Sequence, residues 1–138
     1  MTTARNHPPS AVAESAAGLI LEGLAAQDFA RLGGALATEA CMRALLPSGL
    51  WEWAGAEAIA HRFARWFGDT EDFELIEAGV GEVGGRLHLR WRLRLQAERL
   101  GPGWFTVEQQ AYADTDDAGR IAQLDLLCTG YRPEGGHG

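Results

Sequence analysis

The spacing of hydrophobic and polar positions changes period once along this chain, from helical intervals in the first half to strict alternation in the second. From Ala11 to Ala26 the apolar residues Val12, Leu19, Ile20 and Leu24 recur among alanines at the spacing of a helix with one buried face. Asp28 then stands where an N-cap opens a second helix at Phe29, kept short by Gly33 and Gly34. Two brief extended pieces are expected around Cys41 to Leu46 and Leu50 to Trp53, split by the turn chemistry of Pro47, Ser48 and Gly49. A third helix runs from about Gly55 to Phe67. There Ile59, Phe63 and Trp66 or Phe67 form an apolar stripe, with His61, Arg62 and Arg65 mainly off it and Gly68 as its C-terminal glycine.

The second half reads as four strands, Phe73 to Glu82, Arg86 to Glu98, Trp104 to Asp114 and Arg120 to Tyr131, separated by glycine-rich turns. Between Arg86 and Leu95 the alternation has no fault: Leu87, Leu89, Trp91, Leu93 and Leu95 share one face, and Arg86, His88, Arg90, Arg92 and Arg94 the other. A hairpin centred near Leu100 places Arg92 opposite Glu108 and Arg90 opposite Gln110, and the next hairpin places Gln110 opposite Asp125. Acids and arginines then share a polar outer face, each cross-strand pair contributing up to about 1 kcal/mol. Helices followed by consecutive hairpins predict an α+β domain, its helices packed on a curved antiparallel β-sheet.

Composition narrows the classes. The 138 residues suit a single domain, expected over 11 to 132, between a disordered arm at 1 to 10 and a flexible tail at 133 to 138. The chain is 46% hydrophobic and 22% charged, with no apolar run of membrane-spanning length, so no membrane partner is expected. Nineteen acids face twelve arginines and no lysine, a net charge of −7. That balance argues against a nucleic-acid partner. The exclusive use of arginine suggests a bacterial, high-GC source. The start of the chain lacks a signal-peptide pattern, and Cys41 and Cys128 stand alone without CxxC spacing. Cytoplasmic location, reduced thiols and no metal site are the expectations.

Two local motifs add to this order of elements. Gly55-Ala-Glu-Ala-Ile-Ala-His-Arg-Phe63 resembles the G-x-E-x-I-x-x-x-F opening of a pocket-lining helix, and Asp117-Ala-Gly-Arg-Ile121 resembles the D-x-G-[KR]-I turn into a last strand. Together they resemble the NTF2-like, or SnoaL-like, superfamily over nearly the whole domain. The resemblance implies a cone-shaped fold with a central pocket and a membership that includes ketosteroid isomerases, polyketide cyclases, limonene epoxide hydrolases, dehydratases and binding proteins. The isomerase pattern maps its Tyr onto Ile20, its base Asp near Ala44 and its second Asp near Ala111, so all three groups are absent. The Asp-Arg-Asp set of the epoxide hydrolases needs inward acids and an inward arginine, whereas Arg90 and Asp125 face out.

The concave face is expected to receive Leu89, Trp91, Leu93, Val107, Gln109, Ala111, Leu124, Leu126 and Cys128, under Ile59, Phe63 and Trp66, with Trp51 and Trp53 near the mouth. The ligand-binding set is therefore Trp53, Ile59, Phe63, Trp66, Leu89, Trp91, Gln109, Leu124, Leu126 and Cys128. It suits a small apolar or aromatic molecule oriented by Gln109, without metal or organic cofactor; the alternative is that these side chains fill a closed core. Cys128 is a candidate nucleophile with no histidine placed to activate it. Glu108 and Asp125 are a candidate acid/base pair, although their arginine neighbours favour the ionised form. The charged outer face reads as a homodimer interface, with an anion site as the other reading.

Overall fold

The computed structural model describes residues 11–135. The expected arm at 1 to 10 and the last residues of the tail, 136 to 138, lie outside them. Among the described residues, three helices pack on a curved, unclosed, mixed sheet of seven strands. The helices are α1 (Ala11–Ala26), α2 (Phe29–Gly33) and α3 (Ala56–Phe67). The strands are β1 (Leu36–Leu46), β2 (Gly49–Ala54), β3 (Asp72–Val83), β4 (Arg86–Gln96), β5 (Phe105–Thr115), β6 (Ile121–Cys128) and β7 (Arg132–Pro133).

The capping residues act as their types require. The Asp28 carboxylate accepts the Arg31 backbone N–H at 3.1 Å and starts α2. Gly55, at φ 99°, takes the left-handed backbone that lets β2 turn into α3. On α3, Ile59, Phe63 and Phe67 are fully buried, and each such side chain contributes about 1.5–3 kcal/mol of burial. Gly23 lets α1 and α2 touch: a Cβ there would lie 2.8 Å from the Leu32 backbone nitrogen and 2.9 Å from the Asp28 carbonyl oxygen.

The sheet runs β2-β1-β6-β5-β4-β3, with β7 added beside β5. The meander β3 to β6 is antiparallel as expected, but β1 pairs with β6 in parallel, which makes the sheet mixed. Alternation along single strands carries no sign of this pairing, because its partners are some 80 positions apart: Arg43 faces Asp125 and Leu45 faces Leu127. β1 also begins at Leu36, earlier than the expected Cys41, and its register against β6 shifts between Leu36 and Cys41. That irregularity bends the strand, and it hid the start of β1 from any period-two reading.

Arg92 does face Glu108 and Arg90 does face Gln110. The next hairpin is offset by two residues from expectation. Gln110 faces Leu127, and Asp125 faces Tyr112; the extra residue on β6 at the Asp114/Thr115 irregularity accounts for one of the two positions, and the turn itself for the other. An even offset leaves every side chain on its expected face. β4 ends at Gln96, where a single 3₁₀ turn, Glu98–Leu100, takes over; β6 ends at Cys128, short of the expected Tyr131. β7 carries the sheet one residue beyond the expected domain end at 132.

Candidate functional site

The concave face is mostly solid. Ile59, Phe63, Leu89, Leu124 and Leu126 are packed inside the core, Trp91 is nearly so, and none of the six lines the cavity at the mouth of the cone. Phe63 sits edge-on to Trp66 at 5.2 Å and tilted against Trp91 at 6.4 Å, an aromatic cluster that fills the throat. Of the ten expected ligand-binding residues, Trp66, Gln109 and Cys128 meet at that cavity. Trp53 stands behind Trp66, T-shaped at 5.8 Å, with the Arg62 guanidinium 4.9 Å from its ring.

The cavity has a volume of about 480 Å³ and opens to solvent. Four pieces of chain enclose it. The β1–β2 turn supplies Leu46, Pro47 and Ser48; the end of α3 supplies Trp66 and Phe67; β5 and the chain leaving β6 supply Val107, Gln109, Cys128, Thr129, Gly130 and Tyr131. Tyr131 and Phe67 were not among the expected site residues. Phe67 carried a signal, since it shares the apolar stripe of α3. Tyr131 carried none, because β6 stops at Cys128 and a residue beyond a strand end has no periodicity.

Gln109 is the one buried polar side chain among the described residues, 2% exposed. It lies directly across from Trp91 on β4 and Cys128 on β6. Trp91 Nε1 donates to Gln109 Oε1 at 2.8 Å, while Gln109 Nε2 is buried and has no partner among the described residues. Cys128 Sγ accepts from the Gly130 N–H at 3.3 Å. Gly130, at φ 78°, presses on the turn: a Cβ there would come within 2.7 Å of Pro47 Cγ.

Tyr131 is tied to the end of α3. Its hydroxyl donates to the Trp66 carbonyl at 2.6 Å, and Arg99 donates to the same carbonyl at 2.6 Å and to Gly68 and Arg65 carbonyls at 3.3 Å. Arg99 also lies 3.4 Å from the phenolic oxygen. Burial pushes the Tyr131 phenol above its ordinary value, with Arg99 opposing and Cys128 reinforcing. The phenol is therefore protonated at neutral pH.

The expected acid/base pair is elsewhere. Glu108 and Asp125 both point to the outer face, away from the cavity. Arg92 reaches Glu108 at 2.8 Å and Glu77 at 2.9 Å; its Nε–H is not aimed at Glu108, so that contact is an ion pair without an aligned hydrogen bond. Asp125 bridges Arg43 and Arg86, each at 3.0 Å, instead of lying beside Arg90. Partial burial raises its pKa, but hydrogen bonds from Arg43, Gln123 and Arg86 outweigh this and hold the carboxyl below its ordinary value. Arg90 packs across Gly79. His88 stacks on Tyr112 at 4.7 Å and lies 3.1 Å from Gln110 Oε1. No group of three or more metal-ligating side chains occurs among the described residues, and no described helix is long and apolar enough to cross a membrane.

No protein-family model matches this chain, and no curated protein matches it in sequence. Solved structures do match in shape. A hypothetical protein with a ketosteroid isomerase-like fold from Catenulispora acidiphila, in complex with trimethylamine, superposes with a TM-score of 0.68 at 14% identity, over 90% of this chain and 88% of that one. A SnoaL-like polyketide cyclase, so assigned without certainty, from Shewanella putrefaciens gives 0.66 at 11% identity, over 88% and 91%. An LEH-like epoxide hydrolase from M. tuberculosis gives 0.63 at 21% identity, over 85% and 82%. At these identities the likeness speaks for architecture alone, and with the helices, sheet order and cavity described above it establishes that this chain has the NTF2-like α+β cone fold.

Proposed function

We propose that this chain is a SnoaL-like small-molecule protein that takes an apolar or aromatic substrate into the mouth of its cone and converts it without a cofactor, as a cyclase, isomerase, dehydratase or hydrolase. The observation that carries the reading is the cavity of about 480 Å³, walled by Leu46, Trp66, Phe67 and Val107 and lined also by Gln109, whose buried amide nitrogen has no partner among the described residues. The volume lies in the range of small-molecule sites, and the lining combines apolar area with a few polar groups, as ligand pockets do. Several solved structures of this shape bear enzyme names, which supports the reading by analogy only. Within the lining, Tyr131 and Cys128 are the titratable side chains, the first candidates for proton transfer or nucleophilic attack.

A second reading, a non-catalytic binding module, is favoured by the same inventory, since among the described residues no carboxylate or imidazole lines the cavity. Titration with neutral aromatic compounds, followed by tryptophan fluorescence, tests what the readings share. Saturable quenching that Cys128→Phe weakens supports both; no saturable binding by any compound removes both. Product detected by mass spectrometry, and lost in Tyr131→Phe or Cys128→Ala, selects the enzyme.

A homodimer through the outer face belongs to this proposal, as does a cytoplasmic setting. Leu50 faces Leu45 and Leu45 faces Leu127, forming a row of leucines across three strands that are 63%, 50% and 47% exposed. Beside this row the salt bridges of Arg43, Arg86 and Arg92 are already internally paired, which lowers the cost of covering them.

A further inference from the structure

We propose that the pocket selects a neutral molecule bearing a hydrogen-bond-accepting oxygen, above all a carbonyl, and that it does so through the side-chain amide of Gln109; the inference rests on the mouth of the cone being the ligand site. Trp91 settles how the amide is turned. An indole N–H only donates, so the Gln109 atom 2.8 Å from Trp91 Nε1 is the oxygen, and the NH₂ group takes the other direction. That NH₂ is buried and has no partner among the described residues. A buried donor left without an acceptor costs a factor of roughly ten in equilibrium terms, and a ligand oxygen removes that cost.

The other polar side chains of the lining are already engaged. Tyr131 donates to the Trp66 carbonyl, and Thr129 accepts from the Glu108 N–H and donates to the Gly130 carbonyl. Ser48 accepts from Trp51, and Cys128 accepts from the Gly130 N–H. None of the lining side chains carries a formal charge at neutral pH. An anionic ligand would therefore meet the Gln109 amide and the exposed Ser48 hydroxyl but no cation to offset its lost hydration, and a hydrocarbon would leave the amide unmatched. A neutral ketone, aldehyde or amide on an apolar body meets both conditions.

The two cysteines provide a footprint. Cys128 lies in the pocket directly across from Gln109, while Cys41 is exposed at a separate place near Trp53 and Gln123. Acetylnaphthalene and its isopropenyl counterpart, in which a methylene replaces the carbonyl oxygen, have nearly the same shape. Both are titrated into the protein by calorimetry, and their effect on alkylation by N-ethylmaleimide is read at each cysteine by peptide mass spectrometry. The ketone is expected to bind about tenfold more tightly than the alkene and to slow alkylation at Cys128 while leaving Cys41 unchanged. The variant Trp91→Phe/Gln109→Met, which removes donor and acceptor together and leaves neither orphaned, is expected to bind both probes equally. Equal affinities in the wild type, with both probes protecting Cys128, overturn this inference and leave the pocket reading intact. If neither probe binds and Cys128 reacts as before, both fall.

Discussion

Trp91 and Gln109, cross-strand neighbours on β4 and β5, are joined by a 2.8 Å hydrogen bond in the interior of the cone, and each satisfies a polar atom that the other would otherwise strand. The bond runs between the aromatic throat and the cavity, so it belongs to stability and to the site at once. Gln109→Leu alone is expected to destabilise the fold by about 2 kcal/mol, because the indole N–H is left buried and unpaired. Adding Trp91→Phe should recover part of that loss. Urea unfolding of the two single variants and the double variant gives the coupling energy, and strictly additive losses would show that the bond contributes nothing.

Asp125 links three strands through Arg43 on β1 and Arg86 on β4. Its folded pKa lies below the ordinary value, so its contribution is present above about pH 4 and is lost as the pH falls through the folded value. Asp125→Asn should cost about 1 kcal/mol at pH 7, since these pairs are partly exposed. The gap between variant and wild type should close on acidification. A gap independent of pH between 7 and about 2 would contradict this assignment.

Arg99 both caps the carbonyl end of α3 and opposes the rise in the Tyr131 pKa. Arg99→Met is therefore expected to raise the phenol further, displacing its ultraviolet ionisation curve to higher pH. A displacement to lower pH would mean that Arg99 does not act on Tyr131.

Gly23→Ala drives a methyl into the α2 backbone, where the nearest atoms are main-chain and do not rotate away. A loss of about 1–3 kcal/mol in thermal or urea unfolding is expected. Gly18→Ala, on the same helix with nothing nearer than 4.0 Å, serves as the control and should be neutral or slightly stabilising.

Leu127→Arg places a charge in the exposed leucine row without touching the core. If two copies join through this face, sedimentation should show a dimer for the wild type and a monomer for the variant. A wild-type monomer at micromolar concentration removes the dimer proposal.

The elements were legible where a period was. The α3 stripe and the faultless alternation of β4 gave helix, strand and face together, and the register of β4 against β5 followed from a hairpin centred near Leu100. The parallel pairing of β1 with β6 was not legible, since nothing local distinguishes a strand whose partner lies some 80 residues away. Gln109 and Cys128 were readable as inward positions. Whether an inward side chain fills the cone or borders a cavity was not, because that depends on how the rings of Phe63, Trp66 and Trp91 close the throat. Tyr131, held by the carbonyl of Trp66, enters the site from an irregular segment without periodicity.

The contact between Gly130 and Pro47 leaves the rim of the mouth with a bore set by a missing side chain. Any residue other than glycine at 130 meets both a left-handed backbone and a proline ring 2.7 Å from its Cβ, so the β1–β2 turn must swing outward. The diameter of the entrance can thus be altered from a position that takes no part in the core. Glycine at 130 fixes how closely the β1–β2 turn approaches the chain leaving β6, a spacing that a side chain at this position would have to widen at the cost of backbone strain.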